Sequence, residues 1–292
     1  MRAALRRLAA LAAAGLALAF AAPSAAKPPV WTVRSGAATI TLFGSVHLLP
    51  PGLDWRPPDL DDALAGADEI WFELPITAAT DNEAAAQSLV RGGLPKGRSL
   101  TSLLTEEEAK RLIAAGVALN CAPEALDRMQ PWMADLTLSI AEDARGGASA
   151  SDGVEGQIQA LTPPTARRRA FETASEQIEF LAGAPLRDQV ASLNWTVSEI
   201  QDDPASYQRV VDEWMDGDVA GLRRDALEPL ERISPTLYAR LIDARNRRWA
   251  ATLANRLKKP GKIVVVVGVG HLVGPAGLPA LLRADGFQVD GP

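Results

Sequence analysis

Two apolar runs that each stop in a Gly-x-x-His turn constrain what this chain can fold into. One run, at 263–267, breaks into Gly268-Val269-Gly270-His271; the other, at 38–43, breaks into Gly44-Ser45-Val46-His47. Leu follows the His both times, and Pro stands four residues after it, at Pro51 and Pro275. A β-branched run closed by glycine reads as a buried strand that ends in a tight turn. Ligands of parallel α/β sheets sit beyond the carboxyl ends of strands, so both imidazoles are expected to face one crevice. They are the only two histidines in the 292 residues.

The order of elements around the two turns is the same. A strand pair at 30–34 and 38–43, joined through Ser35-Gly36, leads into the first His turn, a helix at 59–66 and a strand at 69–74 stopped by Pro75. The strand at 263–267 leads into the second His turn, a helix around 278–284 and a last strand at 287–289. This predicts an α/β fold whose central sheet is built from two related strand, His turn, helix, strand halves, as an internal duplication would give. Between them, 76–260 reads as helical, with breakers such as Pro123, Pro131, Pro185, Gly217 and Pro235, and is expected to sit over the crevice as a lid. Within it, 146–153 is the most loop-like piece, and Arg167-Arg168-Arg169 reads as a solvated helix face.

Residues 1–26 stand apart from the fold. Arg2, Arg6 and Arg7 precede an apolar segment at 8–22, and Ser24-Ala25-Ala26 offers a small-residue cleavage site, the pattern of an export signal. The apolar segment is short and alanine-rich for a membrane anchor. The expected mature chain, 27–292, reads as a single domain in the periplasm or secreted, with no membrane association after cleavage. The whole chain carries a net charge of -6, which becomes about -9 once the three signal arginines are gone, so its charge excludes a nucleic-acid binder. Cys121 is alone, so no internal disulfide forms, and it reads as a buried thiol in a helical segment. The mature N-terminus is expected at Lys27, which mass spectrometry of exported protein checks; an intact 1–26 there overturns the compartment.

Three groups on one edge carry the chemistry. Glu73 ends its strand just before Pro75 and opens onto the same edge as His47. His47, Glu73 and His271 would give a divalent ion such as Mn, Co or Zn two imidazoles and a carboxylate, with positions left for water. Water on such an ion attacks carbonyls near neutral pH, which points to hydrolysis. Without metal the same groups serve as general acid and base, or the histidines merely cap turns. Arg245 falls inside the apolar stripe Tyr238, Leu241, Ile242, Trp249, Leu253, so it is expected to meet a carboxylate or an anionic ligand, and to be replaceable by Met at little cost in stability. Gly268-Val269-Gly270 is not a dinucleotide fingerprint, because Val273 stands where the third glycine belongs and too little chain follows.

These residues also carry a resemblance. Phe43-Gly44-Ser45-Val46-His47-Leu48, Trp71-Phe72-Glu73-Leu74, Pro131-Trp132, Gly153-Val154-Glu155, Phe171-Glu172-Thr173, Arg245-Asn246 and Val267-Gly268-Val269-Gly270-His271-Leu272 follow one another as in the TraB/PrgY/GumN family, which includes the TIKI proteins. The chain resembles that family over essentially all of 27–292. The resemblance implies an α/β fold of two related halves around a helical insertion, grouped with erythromycin-esterase-like and ChaN-like proteins. For TIKI proteins it implies metal-dependent proteolysis of a secreted signal. Residue by residue, His47 and His271 match the two Gly-x-x-His histidines, Glu73 the carboxylate of the first half, Arg245 and Asn246 the Arg-Asn pair, and Glu172 the acid of the Leu-Glu-Thr motif. Asn246 and Glu172 are thereby expected on the substrate side. The chain departs at Phe171, where Leu is preferred, and at Glu155, where Asp is usual, so no role is carried over to Glu155.

Two readings follow. One is an exported metal-dependent hydrolase of a peptide or ester, with His47, Glu73 and His271 around the metal and Arg245 holding a substrate carboxylate or oxyanion. The other is a periplasmic binding protein that takes haem, a peptide or a glycan into the same crevice without turnover.

Overall fold

The computed structural model describes residues 27–292. The export signal expected at 1–26 lies outside the described residues. Among the described helices, none is long and apolar enough to cross a membrane.

Six strands make one mixed sheet: β1 (Val30–Ser35), β2 (Ala38–Ser45), β3 (Glu69–Phe72), β4 (Arg167–Ala170), β5 (Gly261–Gly268) and β6 (Gln288–Asp290), in the order β4-β3-β5-β2-β1-β6. β1 and β2 form a hairpin closed by Gly36-Ala37, where Gly36 has φ 56°, a left-handed turn that glycine enters without a Cβ clash. β2, β5, β3 and β4 are parallel neighbours. Ile263, Val264, Val265, Val266 and Val267 are all buried, so β5 is covered on both faces, as its unbroken apolar run requires. Each such side chain contributes roughly 1.5–3 kcal/mol by leaving water, which makes β5 the anchor of the sheet.

The register decides where the functional groups fall. Ser45 lies opposite Gly268, while Phe72 lies opposite both Val266 and Ala170. The four parallel strands therefore end at one edge, β3 and β4 two residues short of β2 and β5. The chain then runs on to His47 from β2, Glu73 from β3, Glu172 from β4 and His271 from β5. In chain order the helix Pro58–Ala65 lies between β2 and β3 and the helix Leu278–Ala284 between β5 and β6. Their landings differ, because β3 settles beside β5 whereas β6 crosses to the far edge against β1.

The 76–260 segment is not all helical, and this corrects the sequence reading of Arg167-Arg168-Arg169. These arginines form the edge strand β4, exposed and paired to β3 through the backbone. Three arginines show no apolar alternation, so the pattern carries no strand signal, while charged side chains suit an open sheet edge. Arg167 pairs with the buried Glu69 at 2.6 Å. The remaining helices divide between two cores. Trp214, Leu222, Leu227, Tyr238, Ile242 and Trp249 pack with the sheet residues, whereas Leu112, Leu126, Ala134, Leu138, Leu193 and Val197 gather in a separate helical core, with Cys121 at its margin. The loop at 146–153 is tied to the first His turn: Leu49 and Ser149 bridge, and Val154 N donates to Val46 O at 3.2 Å.

Candidate functional site

The site is assembled by strand ends, and one point locates it. A Cβ built on Gly268 would lie 3.2 Å from Glu73 Oε1, 3.6 Å from His47 Nε2 and 3.8 Å from His271 Cδ2. Residues from three strand ends thus converge on the bare backbone of Gly268. Two of them, His47 and Glu73, line an open cavity of about 230 Å³ together with Phe72, Leu74, Ile76, Glu155 and Gln177.

Each imidazole is held through Nδ1. His47 Nδ1 lies 2.7 Å from Glu155 Oε1, which also accepts from Ser45 Oγ at 2.5 Å. Glu155 raises the His47 pKa to about 9 against the opposing effect of desolvation. The His47 side chain is 61 % exposed, so water at its open face screens the pair; the direction, upward, follows from the contact. His271 is buried, on the face of Trp249, with ring centroids 4.5 Å apart. Its Nδ1 lies 2.6 Å from Asn246 Oδ1, and its Nε2 faces Arg245 Nη1 at 3.0 Å. Guanidinium only donates, so Nε2 is the bare acceptor and Nδ1 carries the proton. Burial first, then Arg245 and His47, push the His271 pKa down to about 3 against the pull of Glu73.

Glu73 is buried and fully engaged. Its Oε1 accepts from Gly268 N at 2.7 Å, and its Oε2 accepts from Arg245 Nη2 at 2.5 Å and Gln177 Nε2 at 3.2 Å. Burial works to raise its pKa but is outweighed by His271, Arg245, His47 and the Gly268 N–H, leaving it at about 2. With His271 neutral at pH 7, the buried charge that keeps Glu73 ionised is that of Arg245.

Arg245 is the hub. It is 5 % exposed and leaves no N–H free: Nε donates to Glu172 Oε1 at 3.0 Å, Nη1 to Leu241 O and His271 Nε2, and Nη2 to Glu73 and Glu172. Its guanidinium lies 4.7 Å from the Trp249 ring centroid. Leu241 sits on a π-helical turn, Ala239–Asp243, that directly precedes the helix Ala244–Arg256 carrying Arg245. Sequence reasoning expected a carboxylate or an anionic ligand against this arginine; here it meets the carboxylates of Glu73 and Glu172. Glu172 and Asn246 were expected on the substrate side. Both are buried, Glu172 between Arg245 and Arg248, and Asn246 between the His271 ring and Ala276 O. They orient the site from behind.

The donor set suits a divalent ion in kind. Two imidazoles fixed through Nδ1 by outer partners, with a carboxylate beside them, is the usual way a protein orients metal-binding histidines. Yet among the described residues no group of three His, Cys, Asp or Glu side chains is already gathered closely enough to hold an ion. His271 Nε2 is engaged by Arg245 instead.

Ser45, Glu155, Gln177 and Gly268 stand within motifs the sequence displays, but none was given a role at the site. The resemblance picks out Glu155 but its departure from Asp withheld a role, and in the first turn of the helix Val154–Leu161 an acid is ordinary on its own. The one usable signal was Gly153, because a Cβ there would lie 2.0 Å from His47 O. Gly153→Ala is expected to cost about 1–3 kcal/mol by overpacking and to displace the His47 turn. Urea unfolding with activity measured in parallel checks it, and a variant matching wild type in both would mean the contact is relieved elsewhere.

A pH effect on stability also follows. The unfolded chain protonates His271 below about 6.5, whereas the native ring resists protonation down to about 3. In that window the unfolded state binds more protons, so this contribution to stability is lost as pH falls from 6.5 towards 3. Asp143 and Glu199, raised to about 7, act in the opposite sense, so the readout is the difference between wild type and His271→Gln. That difference should shrink from pH 7 to pH 5; a constant difference would mean the ring charges in the native state.

Comparisons with known proteins agree with one another. A family model, the TraB/PrgY/gumN family, matches residues 29–291. The proteins called "Uncharacterized protein YbaP" of Escherichia coli (strain K12) and of Shigella flexneri are each 25 % identical to this chain over 243 residues, 83 % of this chain and 87 % of theirs. No solved structure matches.

Proposed function

This chain belongs to the TraB/PrgY/gumN family, and from the cluster its strand ends assemble we propose that it is an exported, divalent-metal-dependent hydrolase of a peptide or ester. The observation that carries this reading is the convergence of Glu73 Oε1, His47 Nε2 and the His271 ring on Gly268, with His47 and Glu73 also lining an open cavity. His47, Glu73 and His271 would hold the ion. When bound, such an ion polarises a carbonyl and acidifies water, the two things hydrolysis near neutral pH needs.

The chain's own residues supply the rest. Glu155 fixes the His47 ring through Nδ1, turning Nε2 inward and making it a stronger donor. Asn246 fixes the His271 ring and its tautomer through Nδ1. Gly268 N–H and Gln177 orient the Glu73 carboxylate, and Arg245 balances its charge at 2.5 Å. Phe72, Leu74 and Ile76 make the apolar wall that limits water at the reacting carbonyl. Arg245 acts here as a positioning residue.

The test is loading. Purified protein titrated with Mn, Co or Zn at pH 7.5 should take up about one ion per chain and release protons, because His47 is an imidazolium in the ion-free state. His47→Ala, His271→Ala and Glu73→Gln should each abolish tight uptake, and peptidase or esterase activity should vanish with chelator. The contact between Arg245 and His271 Nε2 favours a second reading, a binding module that takes haem, a peptide or a glycan without turnover. Wild type that cannot be loaded at neutral pH would put that reading ahead.

A further inference from the structure

Away from the strand ends, the helical layer holds two adjoining cavities of about 190 Å³ and 240 Å³, which share Ser139, Trp195, Thr196 and Ala226. They lie between the helices Pro131–Arg145 and Leu186–Asp202 on one side and the segment 225–241 on the other. Their two ends differ in chemistry. The outer end presents Glu142, Asp143, Glu199 and Asp225 beside the rings of Trp195 and Tyr207. The inner end is walled by Leu136, Leu181, Leu230, Leu237 and Leu241, with one carboxylate, Asp135, already accepting from Ser192 and Thr196.

The acidic end lacks part of its counter-charge. Arg145 takes Glu142 Oε1, and Arg209 and Arg224 take Asp225. Among the described residues Asp143 and Glu199 have no ion-pair partner, and Glu142 Oε2 is buried without a hydrogen bond. Burial, reinforced by neighbouring carboxylates, lifts both Asp143 and Glu199 to about 7. The inner end shows a complementary gap. Trp132 is 3 % exposed and lines the cavity, and its indole N–H has no partner. A buried donor left alone is costly, so a ligand with an acceptor atom on its body would relieve it.

We propose that these joined cavities bind an organic monocation: an amine head among Glu142, Asp143 and Glu199, against the Trp195 and Tyr207 rings, and an apolar body bearing a hydroxyl or carbonyl along the leucine wall. Carboxylates supply the charge, aromatic faces favour a cation over a neutral head, and the leucines favour an aliphatic or aromatic body. No residue of the strand-end crevice lines this site. It therefore stands whether or not the crevice is hydrolytic.

Isothermal titration of the full chain with aminooctanol, octanediol and hydroxyoctanoate varies the head while keeping the body and its oxygen. Aminooctanol should bind at least tenfold tighter than either twin. Aminobutanol should bind on the order of a hundredfold more weakly than aminooctanol, because each methylene adds about 0.8 kcal/mol of burial. Glu199→Gln and Asp143→Asn remove charge without volume and relieve unpaired acids, so both should fold. Each should cut aminooctanol affinity about tenfold and leave octanediol unchanged, while His47→Ala keeps wild-type affinity. The proposal is overturned if the amine binds no better than the diol, if the two acid variants bind it as wild type does, or if His47→Ala removes binding and so places it in the crevice.

Discussion

Arg245→Met should lower the free energy of unfolding by about 3–5 kcal/mol, the usual penalty for removing one partner of a buried ion pair. From sequence alone the substitution looked cheap, because Met refills the volume without leaving a charge. The structure reverses that expectation. Arg245 neutralises two buried carboxylates, at 2.5 Å to Glu73 and 2.8 Å to Glu172. Without it Glu172 keeps Arg248 at 2.6 Å, but Glu73 keeps only Gln177 and the Gly268 N–H. Arg245→Lys should recover little, since one ammonium cannot replace a planar fork that donates to Glu172, Glu73, Leu241 O and His271 at once. Urea unfolding of the two variants, alone and combined with Glu73→Gln, is the measurement. Glu73→Gln should rescue Arg245→Met partially, because it removes the stranded charge. An Arg245→Met midpoint equal to wild type would show that water already reaches these carboxylates.

Where the sequence spoke clearly, it did so through periodicity and exclusion. β5 was legible because a strand buried on both faces has to be a continuous apolar run, and its partner β2 because a hairpin turn and a second Gly-x-x-His framed it. His47 and His271 were legible because no other histidines compete. Arg245 was legible as a misfit, a charge inside an apolar stripe, but its partners were not, since Glu172 reaches it from a strand the sequence hid. β4 consists of arginines held by backbone pairing to β3, and nothing in side-chain pattern records backbone pairing at an exposed edge. Glu155 was visible in its motif but its role was not: an acid in a helix's first turn serves the helix dipole whether or not it also holds a histidine.

The strictest test of the strand-end cluster leaves every ionisable group in place. Gly268 has φ -48° and ψ 135°, a conformation open to any L-residue, so Gly268→Ala pays no backbone strain. Its new methyl would stand 3.2 Å from Glu73 Oε1 and 3.6 Å from His47 Nε2, in the space on which the three side chains converge. The closer contact needs a shift of only a few tenths of an ångström, so stability should change by less than about 1 kcal/mol. Function should respond far more. The loss comes from occupancy rather than displacement, because a methyl in that space excludes an ion and a reacting carbonyl from the donors that would hold them, and misplacing reacting groups costs about a hundredfold in rate. Gly268→Ala should therefore unfold at nearly the wild-type urea concentration while losing ion uptake and about a hundredfold or more of any hydrolytic rate. Capping histidines with no shared chemistry would predict the opposite, a variant indistinguishable from wild type in every ligand measurement. Stability retained with uptake retained would separate His47, Glu73 and His271 into independent structural groups and remove the site from this edge of the sheet.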